Sequence, residues 1–258
     1  MPAFKKAIRS IVNWSLSPKR FEFMAIGVLT TLIGLMILVI PTPDLTSALS
    51  NTLGFILDDL TMSAGQEGFL YTTVLLCLLP LIFRLPLPRL FEVYAKFGML
   101  LVLSFVLKTG MKHITEVPRP YTLQLSQSEL VDSPETFYAQ DAIQRELIIE
   151  SAQDIFSPWR LKHWEGETNY SMPSGHTIFV AICVMFWGGF LLAQQQKTLM
   201  ALLVFWGVGV GFSRLWLGMH WPLDVMVSLV CAASLNLLVP NVTAPNWISR
   251  ITFKKSRA

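Results

Sequence analysis

An all-α fold that crosses a membrane several times is predicted by three observations on this chain. Hydrophobic residues make up 53% of it and charged residues only 14%, with a mean hydropathy of +0.52, outside the range of soluble globular domains. Six apolar runs, near 23–41, 68–84, 97–113, 175–194, 199–219 and 222–240, approach the ~20 residues that carry a helix across a ~30 Å hydrocarbon core. Lys and Arg gather in alternate connections between these runs, the asymmetry that orients a multi-span bundle.

The elements follow in order. Residues 1–22 form a basic arm. Phe4, Ile8, Ile11 and Val12 against Lys5, Lys6 and Arg9 suit either an amphipathic helix on the inner surface or a partly ordered tail. The first apolar run is too long for a signal-peptide core and lacks a small-residue cleavage site, so it is read as a retained span. Leu45, Leu49, Leu53, Ile56, Leu57 and Leu60 recur at helical spacing and predict a helix lying in the outer interface. The third run is the weakest, because it carries Lys108 and Lys112.

Segment 114–172 is too long to be a structureless connection. Its 135–156 part, with Phe137, Ile143, Leu147, Ile148 and Ile149, predicts helical structure in a small extracytoplasmic cap. A tight turn at His220-Trp221-Pro222 separates the last two runs, and Pro222 suits the first turn of a helix. Residues 241–258 form a basic tail. The plan is one membrane-embedded domain over 1–258, without internal repeats or low-complexity tracts.

Charge then orients the bundle. Lys5, Lys6, Arg9, Lys19 and Arg20 precede the first span, and Arg84, Arg89 and Lys96 join the second to the third. Lys197 joins the fourth to the fifth, and Arg250, Lys254, Lys255 and Arg257 follow the sixth. All fall on one side, which is therefore cytoplasmic, with both termini. The 42–67 segment, with Asp44, Asp58, Asp59 and Glu67 and no Lys or Arg, faces the other way. Cys77, Cys183 and Cys231 each lie inside an apolar run and read as small buried residues without disulfide or metal roles.

This topology brings the polar residues of four spans to one boundary. Lys112 ends the third span, Ser174, Gly175 and His176 open the fourth, Arg214 lies near the end of the fifth, and His220 and Asp224 flank the start of the sixth. Each has a plain alternative: Lys112 can snorkel, and Arg119 can be a loop cation paired with Glu116. Arg214, inside a span, is a functional candidate by default.

Together they supply phosphoryl-transfer chemistry. Arg119, Arg214 and Lys112 place positive charge where three equatorial oxygens carry it in the transition state. Ser174 and Gly175 open a helix, where backbone N–H groups favour an anion. His220 and Asp224, four residues apart, allow the carboxylate to hold one ring nitrogen while the other attacks phosphorus. His176 then serves as general acid toward the leaving oxygen. No metal-ligand spacing is present and no cofactor is expected.

Lys112, six residues, then Arg119-Pro120; Pro173-Ser174-Gly175-His176; and Ser213-Arg214, five residues, His220, three residues, Asp224: these resemble the three signature motifs of the type-2 phosphatidic acid phosphatase superfamily, complete and in order. The resemblance implies six spans and a metal-free phosphohistidine mechanism with His220 as nucleophile and His176 as acid. It implies phosphatidylglycerophosphate, undecaprenyl diphosphate, phosphatidate, lysophosphatidate and diacylglycerol pyrophosphate as substrates. It also implies a bacterial inner membrane, with the site facing the periplasm. Lipid phosphates and membrane lipids are the expected partners, with no nucleic acid and no obligate protein partner.

Other residues keep two readings. Lys108 either faces the site or snorkels, and His163 and Glu167 either touch a headgroup or make structural hydrogen bonds. Trp159, Trp164, Trp216 and Trp221 suit an interfacial aromatic belt. Three rival functions remain in view: an intramembrane serine protease built on Ser174, a lipid transporter, and a phosphotransferase passing the group from His220 to a lipid alcohol. Acyl transfer does not call for three cations, and inverted repeats and broken helices typical of transporters are absent from the sequence.

Overall fold

The computed structural model describes residues 19–245 and Ile248. The amphipathic segment expected at 4–16 lies outside the described residues. Every regular element among the described residues is helical, as a bilayer requires of a chain that must satisfy its own backbone polar groups.

In chain order, α1 (Arg20–Val39) is followed by α2 (Asn51–Ala64), whose N-cap Ser50 accepts from the Leu53 N–H. After α2 come α3 (Phe69–Cys77) and the single turn α4 (Leu79–Ile82). The long α5 (Leu87–Thr115) ends at Glu116, which turns into the left-handed region at φ 44°. Four short helices follow: α6 (Pro120–Gln127), α7 (Pro134–Ala139), α8 (Ala142–Glu150) and α9 (Pro158–Trp164). The chain then forms α10 (Gly175–Cys183), one π-helical turn at Val184–Gly188 and α11 (Gly189–Ala193). Two further helices, α12 (Lys197–Trp216) and α13 (Pro222–Leu238), complete the described bundle.

Four helical segments are long and apolar enough to cross a membrane, and α2 with α3–α4 makes a fifth if that pair, bent by 65°, counts as one. The apolar α13 is shorter, at 17 residues. Leu38, Phe205 and Leu238 are each more than three-quarters exposed, an apolar exterior suited to lipid and not to water. The chain is a multi-pass membrane protein.

Three elements differ from their sequence-based expectation. The run at 68–84 is interrupted after Cys77, because Pro80 has no N–H to continue the ladder. The third helix starts at Leu87, ten residues before the apolar run, since Pro86 and Pro88 suit a helix entry and Arg89 and Lys96 are carried inside it. Lys96 is buried with its Nζ 2.8 Å from both Glu22 oxygens, which is why hydropathy alone cut that helix short. The interfacial helix expected at 45–60 begins only at Asn51. It does not lie alone: Gly54, Leu57, Asp58, Thr61 and Ala64 are buried, and Thr61 Oγ1 is 2.7 Å from Ser213 Oγ of α12.

Two hydrophobic cores result. The bundle core is built around the α10–α11 segment, whose apolar window is 78% buried against 22% in α1 and α5. A second core unites Leu45 and Leu57 with Tyr121, Leu125, Phe137, Ile149, Phe156 and Trp164, and receives Leu217 and Met219 from the bundle. Trp164, expected in an interfacial belt, is fully buried there, stacked on Tyr121 with ring centroids 4.9 Å apart. Its neighbours in the short helices bury it because each offers an aromatic or aliphatic face to the same centre.

Helices α11 and α1 approach closely at Gly189. A methyl group on Gly189 would stand 2.7 Å from the backbone N and Cα of Glu22. Gly189→Ala is therefore expected to lower stability by about 1–3 kcal/mol through overpacking. Gly98→Ala, with nothing within 4 Å of the added carbon, should be neutral or stabilising by up to ~1 kcal/mol. Thermal unfolding of both variants in the same detergent checks the pair.

Candidate active site

The turn between α12 and α13 carries the first group. Gly218, at φ +72°, reverses the chain after Trp216, and the Met219 and His220 N–H groups both donate to the Arg214 carbonyl at 3.1 and 3.3 Å. Pro222 then starts α13, whose N-terminus is closed by Asp224: its Oδ2 accepts from the Trp221 N–H at 2.8 Å. The same oxygen lies 3.5 Å from His220 Nδ1. One carboxylate thus closes a helix and faces the ring, where the helix dipole also favours negative charge.

Arg119 sits between two prolines, extended at the entrance to α6. That geometry turns its side chain inward and away from Glu116, so it is not a loop cation. It is 1% exposed. Its Nε donates to Asn169 O at 2.8 Å, Nη1 to Met219 O at 3.1 Å, and Nη2 to Asn169 Oδ1 at 2.6 Å and Glu167 Oε2 at 3.0 Å. Nη1 is also 3.5 Å from His220 Nε2. Arg214, wholly buried, donates from Nη2 to both Glu167 oxygens at 3.3 and 3.2 Å, while its Nε and Nη1 have no protein partner. Lys112 reaches Asn169 Oδ1 at 2.9 Å and Tyr170 O at 2.5 Å.

The start of α10 supplies the rest. Ser174 is its N-cap: Oγ accepts from the Thr177 N–H and hydroxyl, and its own N–H donates to Ser228 Oγ at 2.9 Å. Ser174 is buried and consumed by these bonds, whereas Gly175 and His176 stand on the wall of a cavity of about 570 Å³. Gly175 admits Lys108, whose Nζ would be 3.4 Å from any added methyl. His176 Nδ1 is 3.9 Å from Glu167 Oε1.

The cavity is lined by Lys108, Lys112, Glu167, Asn169, His176 and His220, with Phe69, Leu101, Phe105 and Phe179 forming its apolar wall. Arg119 and Arg214 are not on that wall; Glu167 is, with the two guanidiniums held behind it. Burial alone would raise the Glu167 carboxyl, but Arg214 and then Arg119 outweigh it and hold it far below the usual carboxylate range. His220 is pushed well below the ordinary histidine range by burial and then by Arg119 and Arg214, so it is a neutral imidazole at neutral pH. Among the described residues no group of three or more His, Cys, Asp or Glu gathers as a metal-ligand set.

All eight residues singled out from the sequence therefore converge on one region, with Ser174 buried behind it. Glu167, given two readings from the sequence, lies on the cavity wall and pairs with both guanidiniums. Asn169 is the addition, and nothing in the sequence pointed to it. His163, the other residue with two readings, stays off the cavity, its Nε2 3.0 Å from Asp58 Oδ1 of α2.

Comparison with known proteins gives a consistent result. The PAP2 superfamily is matched over residues 93–248. Phosphatidylglycerophosphatase B of Haemophilus influenzae is 37% identical over 150 residues, 55% of this chain and 62% of that protein. Phosphatidylglycerophosphatase B of Escherichia coli K12 is 28% identical over 169 residues, 65% of this chain and 64% of that protein. An undecaprenyl-diphosphatase of Sulfolobus acidocaldarius is 31% identical over 84 residues, 33% of this chain and 39% of that protein. The chain thus spans less than two thirds of the length of the curated relatives it matches.

His163 gives this region a pH signature. Burial and then the Arg214 cation hold it below the usual histidine range, despite Asp58. The unfolded chain takes up that proton near pH ~6.5, the folded chain only at lower pH, so stability falls as pH drops below ~6.5, by up to about 1.4 kcal/mol per unit. His163→Gln should show a shallower loss of thermal stability between pH 7 and 5 than the parent. The His220 contribution, of the same sign, remains in both.

Proposed function

The chain belongs to the PAP2 superfamily, and from that premise we propose that it is a membrane-embedded lipid phosphatase acting through a phosphohistidine on His220. The observation that carries this reading is the grouping of Arg119, Arg214 and Lys112 around a neutral His220, with Arg214 Nε and Nη1 unpartnered. Three cations against the Glu167 and Asp224 carboxylates leave the site with net positive charge, and a phosphoryl group supplies the missing acceptors.

The steps follow from the geometry. The phosphoryl group enters the cavity and displaces the Glu167 carboxylate from the guanidiniums, Gly166 at φ +70° giving that loop its turn. His220 Nε2 attacks phosphorus while Asp224 holds the opposite nitrogen. The bound phosphoryl dianion and Glu167 favour the imidazolium form of His176; the bond from phosphorus to the lipid oxygen breaks, and His176 gives that proton to the oxygen. His176 next takes a proton from water, whose oxygen attacks phosphorus and frees Nε2 and inorganic phosphate. No step draws on a metal or cofactor. Arg119, Arg214 and Lys112 stabilise the equatorial charge throughout, where fixed donors are most effective.

The substrate reading follows the relatives. Two are named for phosphatidylglycerophosphate hydrolysis and one for undecaprenyl diphosphate, and the apolar wall of Leu101, Phe105 and Phe179 suits a lipid chain below either headgroup. In the bilayer we take α1, α3–α4, α5, α10–α11, α12 and α13 as six spans, with α6–α9 as an extracytoplasmic cap. Both termini are then cytoplasmic, in a bacterial inner membrane, with the site at the periplasmic face.

The two histidines are separable by leaving group. His220→Ala should form no phosphoenzyme with any substrate. General acid assistance is worth ~10²–10⁴-fold for a poor leaving group and much less for p-nitrophenolate. His176→Ala should therefore trap phosphoenzyme from p-nitrophenyl phosphate yet lose most activity on a lipid alcohol phosphate. Rapid-quench trapping decides it; phosphoenzyme in His220→Ala, or equal losses on both substrates in His176→Ala, would refute the assignment.

Topology has its own test. Glu150→Cys, exposed on α8, should react with a membrane-impermeant thiol reagent in intact spheroplasts. Lys197→Cys, exposed at the start of α12, should react only after lysis. The reverse pattern would invert the bundle.

A further inference from the structure

Three consecutive carbonyls leading into His220 each accept a hydrogen bond from the segment between α5 and α10. Leu217 O accepts from Trp164 Nε1 at 2.8 Å, Gly218 O from the Tyr121 N–H at 3.1 Å, and Met219 O from Arg119 Nη1 at 3.1 Å. From the bundle side the turn is held by the carbonyls of α12, with Leu217 N–H to Ser213 O, Gly218 N–H to Leu215 O, and Met219 and His220 N–H to Arg214 O, and by Asp224 Oδ2 of α13, which accepts from the Trp221 N–H. The turn has no regular structure of its own. Its shape, and with it the direction of His220, is set by these bonds.

The three donors are not equivalent. Tyr121 contributes its main chain, and Arg119 belongs to the phosphate-binding group. Trp164 acts through a side chain that does not touch the cavity. It is fully buried, stacked on Tyr121 at an interplanar angle of 14° and edge-on to Phe156 with centroids 5.0 Å apart. Stacking alone would be served by a phenyl ring; the bond to Leu217 requires the indole N–H, a donor only.

We propose that Trp164 is a positioning residue for the nucleophile: its N–H fixes Leu217 and, through the turn, aims His220 Nε2 at phosphorus. The proposal rests on the reading of His220 as nucleophile. Without the bond, the buried Leu217 carbonyl loses its cap partner, and the turn shifts to recover one. A displacement of about 1 Å at a reacting group costs on the order of 10²-fold in rate, and one lost anchor of three is expected to cost roughly tenfold.

The test compares Trp164→Phe with Trp159→Phe. Trp159 lies on the same helix and donates to Asn51 Oδ1 at 3.3 Å, so its loss loosens α9 without touching the turn. Measured for each are kcat, KM, the amount of trapped phosphoenzyme and the thermal midpoint. Trp164→Phe should lower kcat per trappable site roughly tenfold with KM nearly unchanged, the mark of a lost transition-state alignment. Trp159→Phe should keep the parental kcat even where its thermal midpoint falls. If Trp164→Phe does not fold, benzothienylalanine at position 164 keeps the bicyclic shape and removes only the donor. Unchanged kcat per site in the position-164 variant, or an equal fall in Trp159→Phe, overturns the proposal. A parent enzyme that turns over lipid phosphate without any trappable phosphohistidine would overturn the nucleophile assignment itself, a distinct result.

Discussion

Two guanidiniums with almost no solvent exposure share one carboxylate, and the rest of the structure is arranged around that contact. Arg214 comes from α12 in the bundle, Arg119 from the start of α6, and Glu167 from the loop that leads into α10. Each cation would be costly to bury alone, and two together repel. A carboxylate within 3.0–3.3 Å of both offsets part of that cost. The same contact joins the bundle helix α12 to the segment of short helices between α5 and α10, so the electrostatics of the site and the closure of the fold are one interaction.

The balance is deliberately incomplete. Lys112 adds a third cation, held by Asn169 Oδ1, which Arg119 also uses. Glu167 cannot neutralise all three, and Arg214 retains two buried nitrogens without protein partners. Such donors are expensive unless an acceptor arrives. On the proposed reading, such a site folds with its internal carboxylate and exchanges it for a doubly charged oxyanion when substrate binds. The neutrality of His220 belongs to the same balance: burial first, and then the cations that would draw a phosphoryl group on the proposed reading, keep a proton off the ring proposed to attack it.

The gathering of these residues was more legible in the sequence than the architecture. Lys112, His176, Arg214, His220 and Asp224 could be placed at one boundary because each is a polar residue at or near the end of an apolar run, which hydropathy reports directly, and Arg119 and Gly175 followed from their motif spacing. It could not report pairing. Lys96 looked like the edge of a span because its partner Glu22 is far away in sequence, and α5 consequently appeared shorter than it is. Leu45 fitted the period of α2 yet lies outside it, packed against Gly218, where a methyl would come within 2.5 Å of its Cδ1. Trp164 fitted an aromatic belt by composition, and only the tertiary fold shows that its ring is buried. Ser174 bore the right motif position, but its hydroxyl is spent on Thr177, a bond any N-cap serine can make.

The short helices α6–α9 explain how precision is obtained from weak parts. None of α6–α9 exceeds 9 residues, too few to persist alone in water. Their order is imposed by contacts made one side chain at a time, and α9 shows how. Trp159 covers Gly54 of α2, and Arg160 donates to Leu45 O and Ser47 O. Lys162 and His163 approach the two oxygens of Asp58, and Trp164 donates to Leu217 O. One turn and a half of helix thereby fixes the loop after α1, the middle of α2 and the turn before His220. A histidine placed on a lipid-facing helix would inherit that helix's tilt and its neighbours. Placed on a turn between two cores, His220 takes its position from both.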